Sequence, residues 1–129
     1  MSFSCDCELE ITGGAEADRR AAARVVLAAD CVEEGPAPRE KPSALVFRFR
    51  SVDGLPEDEL KSAAPQFPGL HFTLAYFSKD GEFYGYARMG AAGGEAESED
   101  FDDSTLETLT SEYDGDGIDF VKAVYGLEA

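Results

Sequence analysis

Two groups of side chains in this 129-residue chain have the types, though not the spacing, of a metal centre. Cys5, Cys7, Cys31 and the single histidine, His71, would supply the donors of a Cys3His zinc site. Structural zinc sites favour a longer spacer than Cys5-x-Cys7 offers, so the pair is a poor chelate. Both cysteines also fall in phase with Phe3, Leu9 and Ile11, which makes them core residues of a strand. The second group is Y-D-G-D-G-I-D-F, residues 113–120, which looks like the middle of an EF-hand loop. Setting Glu112, Asp114, Asp116 and Gly117 on its first, third, fifth and sixth positions leaves no bidentate carboxylate to finish the loop. The loop is also one residue short before Ile118, and with that gap counted the twelfth position falls on Lys122, a cation. No metal and no cofactor is predicted. His71 has no Ser, Cys or Asp fixed beside it, and no phosphate-cradling glycine loop is present, so no enzyme activity is predicted either.

Charge is the stronger signal. The chain carries 27 acidic and 11 basic residues, a net charge of −16. Residues 1–88 hold 15 acids and 10 bases, whereas residues 89–129 hold 12 acids and one base, Lys122. Such a field repels phosphates, which argues against direct binding to nucleic acid or to an anionic membrane. It attracts basic proteins. The candidate partner-binding residues are Glu95, Glu97, Glu99, Asp100, Asp102, Asp103, Glu107, Glu112, Asp114 and Asp116. Rows of carboxylates can imitate duplex phosphates and occupy the basic cleft of a nucleic-acid-binding protein. The plainer reading is a solvated acidic loop, or acidity that suits a high-salt habitat.

The elements that must position these groups follow from periodicity. Residues 3–11 alternate as a strand with one buried face, ended by Thr12-Gly13-Gly14. Residues 15–30 read as an alanine-rich helix with Ala21, Val25 and Ala28 on one face. Residues 33–42 read as a proline-rich loop. Leu45, Phe47 and Phe49 define a second strand, and a helix follows Pro56. Residues 70–77 and 82–89 form a hairpin around Ser78-Lys79-Asp80-Gly81, with Gly81 suited to positive φ. Residues 91–103 read as a flexible acidic loop. A short helix over 104–113 is capped by Ser104 with Glu107. Residues 118–125 fit a strand or a helix; the helical spacing of Phe120 with Val124 and Val121 with Tyr125 is the better match.

One sheet face collects Leu45, Phe47, Phe49, Phe72, Leu74, Tyr76, Phe83, Ala87 and Met89. The other carries Arg48, Arg50, His71, Thr73, Phe77, Tyr84, Tyr86 and Arg88. Aromatics beside arginines on an open sheet are how some domains stack RNA bases, but the surrounding acids oppose that use. An open face contacting another protein through Tyr84 and Tyr86 is one alternative; a face covered by the C-terminal segment is another.

The opening C-D-C-E-L-E-I-T-G, residues 5–13, resembles the start of YubB-like ferredoxin-fold domains, matching at Cys5, Leu9, Ile11, Thr12 and Gly13. Leu55-Pro56, the stretch from Gln66 to Phe77 and Phe83-Tyr84-Gly85 resemble that family's helix, strand and hairpin. Ser4 replaces the family's Trp, Cys7 replaces its Asn, and its central insert is absent. The resemblance covers roughly residues 5–90. It implies a ferredoxin-like plait and an origin on phage or plasmid DNA, and it implies no catalytic residues.

Together these readings predict an α+β protein: a ferredoxin-like sheet with two helices on one face (residues 1–90) and an acidic C-terminal extension (residues 91–129) on or tethered to that core. The absence of a secretory leader and of a membrane-spanning run predicts a cytoplasmic protein with reduced thiols. The expected function is inhibition of a nucleic-acid-binding host defence complex, of anti-CRISPR or anti-restriction type, by a DNA-mimicking acidic surface. The alternative is a small accessory module that uses its open sheet face.

Overall fold

Alternation decides the first strand, β1 (Ser4–Gly13). Cys5, Cys7, Leu9 and Ile11 are essentially inaccessible, and the residues between them point the other way. The computed structural model describes residues 4–33, 37–41, 43–52, 54–79, 81–90, 93–111 and 117–127. Within them β1 is followed by α1 (Glu16–Leu27), β2 (Ala37–Lys41), β3 (Ala44–Val52), α2 (Glu57–Gln66), β4 (Leu70–Ser78), β5 (Phe83–Gly90), β6 (Gly93–Asp100), α3 (Asp103–Ser111) and α4 (Gly117–Tyr125). The architecture is α+β. One open antiparallel sheet has the order β2-β3-β1-β4-β5-β6.

The turn from β1 into α1 is built by glycines and an arginine. Gly13 and Gly14 both have positive φ, and a Cβ on Gly13 would sit 2.6 Å from the Gly69 carbonyl oxygen. Arg19, on α1, donates from Nη1 to the carbonyls of Gly13 (2.8 Å) and Gly14 (2.9 Å). It is buried, so the inward face of α1 is Arg19, Ala22, Ala23 and Val26 rather than Ala21, Val25 and Ala28. With alanine at 21, 22 and 23 in succession, composition says little about which way the helix faces.

Helices α1 and α2 cover one face of the sheet. Ala22, Ala23 and Val26 with Leu60, Ala63 and Ala64 pack on Cys5, Cys7, Leu9, Ile11, Phe49, Phe72 and Leu74. The α2 helix runs through Pro65 in its last turn before stopping at Phe67. At the β4–β5 hairpin the positive φ belongs to Glu82 rather than Gly81. Gly81 is needed for room, since a Cβ there would meet Ser78 Oγ at 2.7 Å.

Two segments expected as loops are strands. Residues 37–41 pair with β3, and residues 93–100 pair with β5 in unbroken register from Phe83↔Asp100 to Gly90↔Gly93. Pairing, not side-chain pattern, makes both. The helical reading of residues 118–125 holds, but its buried stripe is Ile118, Phe120 and Val121, and Val124 is exposed.

Candidate interaction surface

The second sheet face is not open. Ala75, Phe77, Tyr84 and Tyr86 form a second core with Ile118, Phe120, Val121 and Leu127, flanked by Phe101 and Tyr125. Gly117 lets α4 start directly on the Phe77 ring, since any Cβ there would overlap the ring carbons. Tyr84 lies edge-on to Phe120 at 5.1 Å, and Tyr86 stacks at a tilt on Tyr125 at 4.7 Å. Tyr84 and Tyr86 are only 4% and 6% exposed. This corrects the expectation of a partner-binding face built on them: of the two alternatives, covering by the C-terminal segment is the one present.

Ion pairs fasten α4 to the sheet. Glu8 is nearly buried on β1. Its Oε2 accepts from Lys122 Nζ at 2.9 Å and its Oε1 from Arg48 Nε at 3.3 Å. Arg48 also reaches Asp119 at 3.5 Å. The one basic residue after Arg88 therefore serves inside the fold, sharing with Arg48 the neutralisation of a carboxylate that α4 helps to bury.

That leaves the acidic run, which the fold divides by task. On β6 the glutamates Glu95, Glu97 and Glu99 stand opposite Arg88, Tyr86 and Tyr84, so they line one face of the sheet edge. Successive members are roughly 7 Å apart. Neighbours repel by about 0.6 kcal/mol each in water at that spacing. Arg88 Nη1 lies 3.6 Å from Glu95, and the Tyr84 hydroxyl donates to Glu99 at 2.7 Å. Among the described residues no cation lies within ion-pair distance of Glu97 or Asp100. Asp100 pairs with Phe83 and lies on the opposite face from the glutamates. All eight residues of β6 are exposed.

Beyond the strand, Asp102 caps α3. Its Oδ1 accepts from the Thr105 backbone N–H (2.7 Å) and the Thr105 hydroxyl (2.9 Å). Those bonds hold its carboxyl below the usual range. The cap is thus Asp102, not Ser104 with Glu107, because Asp102 occupies the position from which a side chain reaches the third helical N–H. Asp103 sits in the first turn, where the helix dipole favours an anion. Glu107 is exposed on α3. Glu112, Asp114 and Asp116, and with them most of the Y-D-G-D-G stretch, lie outside the described residues.

The other candidate chemistry is not assembled. Cys5 and Cys7 are inside the first core, where burial pushes the Cys7 thiol well up and keeps it protonated. His71 is exposed near the start of β4. Among the described residues no group of three or more His, Cys, Asp or Glu could hold a metal ion, and no helix is long and apolar enough to cross a membrane. Burial, with the Glu99 hydrogen bond and charge behind it, pushes the Tyr84 hydroxyl up to about 12. Tyr86 is raised by desolvation and then by Glu95 and Glu97.

Sequence reasoning missed three features: the buried Arg19 of α1, the Glu8–Lys122 clasp and the Asp102 cap. Only the last had a local signal, an Asp three residues before a Thr at the start of a helix. No family model matches the chain, and no curated protein or solved structure matches it.

Proposed function

We propose that this is a non-enzymatic acidic binding protein that docks β6 and the start of α3 on the basic, nucleic-acid-binding surface of another protein. The observation that carries the reading is the exposed glutamate row of β6, held at strand spacing on a sheet edge. A fixed row loses little freedom on binding, and it focuses attraction on a complementary basic cleft. The field of the whole chain, −16, steers such a partner from a distance and rejects nucleic acid itself.

The strand order β2-β3-β1-β4, with α1 and α2 on one side, supports a ferredoxin-like core to which β5, β6 and α4 are added. With the YubB-like resemblance, this favours an origin on phage or plasmid DNA. The partner is then a host defence complex of CRISPR or restriction type in the cytoplasm, whose nucleic-acid cleft the acidic edge blocks.

The test is displacement. Immobilised protein is exposed to host lysate, and retained proteins are eluted with duplex DNA. The reading expects DNA-eluted proteins that bind DNA on their own. Retained proteins that duplex DNA fails to displace would overturn it.

A further inference from the structure

Among the described residues no strand pairs with the outer edge of β6, and the hydrogen-bonding phase of β6 is fixed. The Phe101 N–H donates to the Glu82 carbonyl at 2.8 Å, and in the β5–β6 register these two residues face each other. Hydrogen-bonded pairs recur every second residue in an antiparallel ladder. Glu99, Glu97, Glu95 and Gly93 therefore turn their N–H and C=O groups toward β5. Gly94, Ala96, Ser98 and Asp100 turn theirs outward, to the side where the sheet ends.

We propose that the free edge of β6 accepts an extended, basic segment of the partner as a seventh strand. The proposal rests on the basic-partner reading above and gives that partner a shape. A strand added here bonds to the outward groups of Gly94, Ala96, Ser98 and Asp100. Every second side chain of the added strand then lies beside Glu95, Glu97 or Glu99, so Lys or Arg at alternate positions matches the row. The side chains of the other phase face the helix side of the sheet. There Gly94, Ala96 and Ser98 are small, and a cavity of about 440 Å³ opens between the end of α2 and β6, lined by Lys61, Ala64, Pro65, Met89 and Ala96. Its walls are mainly apolar, so the second phase of the incoming strand is apolar.

The same glutamates select against other occupants. A second copy of β6 would set glutamate row beside glutamate row, a repulsion of the kind that keeps edge strands from pairing with themselves. Unlike a protected edge, β6 has no proline among its eight residues.

The probe is a labelled peptide, acetyl-Lys-Val-Lys-Thr-Lys-Val-Lys-amide, with a control of equal charge methylated on the backbone nitrogens that would face β6. Affinity is read by fluorescence anisotropy, and edge pairing by amide exchange at Gly94, Ala96, Ser98 and Asp100. The expected result is protection of these amides and affinity about tenfold above the control. In Ala96→Pro, which removes an outward N–H and leaves the β5 ladder intact, affinity falls roughly fivefold. Equal binding of peptide and control, with the amides unprotected, overturns strand addition and leaves the charge-based function standing. Undiminished peptide binding to a variant with Glu95, Glu97 and Glu99 changed to Gln, with the amides still protected, sinks the charge-based function instead. Concentration-dependent self-association through the β6 edge, without peptide, also overturns the proposal.

Discussion

Replacing Lys122 by Met tests whether charge pairing holds α4 on the sheet. Methionine keeps the apolar stem and removes only the ammonium that lies 2.9 Å from Glu8. Breaking a buried ion pair costs about 3–5 kcal/mol, and breaking an exposed one about 0–1 kcal/mol. Here the Glu8 side chain is 10% exposed, the Lys122 side chain is 24% exposed, and Arg48 still reaches the other carboxylate oxygen. The expected cost is intermediate, about 2 kcal/mol. That is a large share of the roughly 5–15 kcal/mol typical of a domain. In urea titrations followed by tyrosine fluorescence it moves the midpoint down by about 1 M with the slope unchanged. Amide exchange accelerates first in residues 118–125. Adding Glu8→Gln to Lys122→Met removes a carboxylate left with only the half-exposed Arg48 beside it, so the double variant recovers roughly 1 kcal/mol of the loss. A Lys122→Met protein within about 0.5 kcal/mol of the parent would refute this reasoning. So would a double variant less stable than Lys122→Met alone.

Two further perturbations probe the same covered face. Gly117→Ala forces a Cβ into the Phe77 ring and is expected to destabilise by about 1–3 kcal/mol, despite the better helix propensity of alanine; calorimetry should show a lower Tm. The Tyr84 hydroxyl is raised from 10.0 to about 12, so its contribution to stability is full below pH 10 and is lost as pH rises through 12. Alkaline difference spectroscopy should find it un-ionised until then, and Glu99→Gln should lower that value.

Much of the fold is written locally. The strict alternation of Cys5, Cys7, Leu9 and Ile11 depends only on neighbours in sequence and stands as expected; β4 and β5 pair where the sequence puts a hairpin, but the positive φ falls on Glu82 rather than Gly81. The burial of Tyr84 and Tyr86 was also legible in part. In β4, Phe72, Leu74 and Tyr76 are apolar on one phase and Ala75 and Phe77 on the other, which is the mark of a strand covered on both sides. Strand β6 was not legible, because G-G-E-A-E-S-E-D has no apolar phase and poor strand propensity. Its conformation comes from the ladder offered by β5, a long-range effect that no window of residues contains. The acidic run therefore resembled a loop, although Glu95, Glu97 and Glu99 stand in a fixed row. The clasp of Glu8, Arg48 and Lys122 joins residues far apart in the chain and has no local signature.

The proposed docking of the β6 carboxylates on a basic, nucleic-acid-binding surface is tested by the salt dependence of the affinity for one purified captured partner. The native protein is compared with the variant carrying Gln at Glu95, Glu97 and Glu99 and Asn at Asp100. The account predicts affinity that falls steeply and log-linearly with salt for the native protein, and a much weaker, flatter response for the variant. Affinity that is insensitive to salt, or equal for the two proteins, would contradict it.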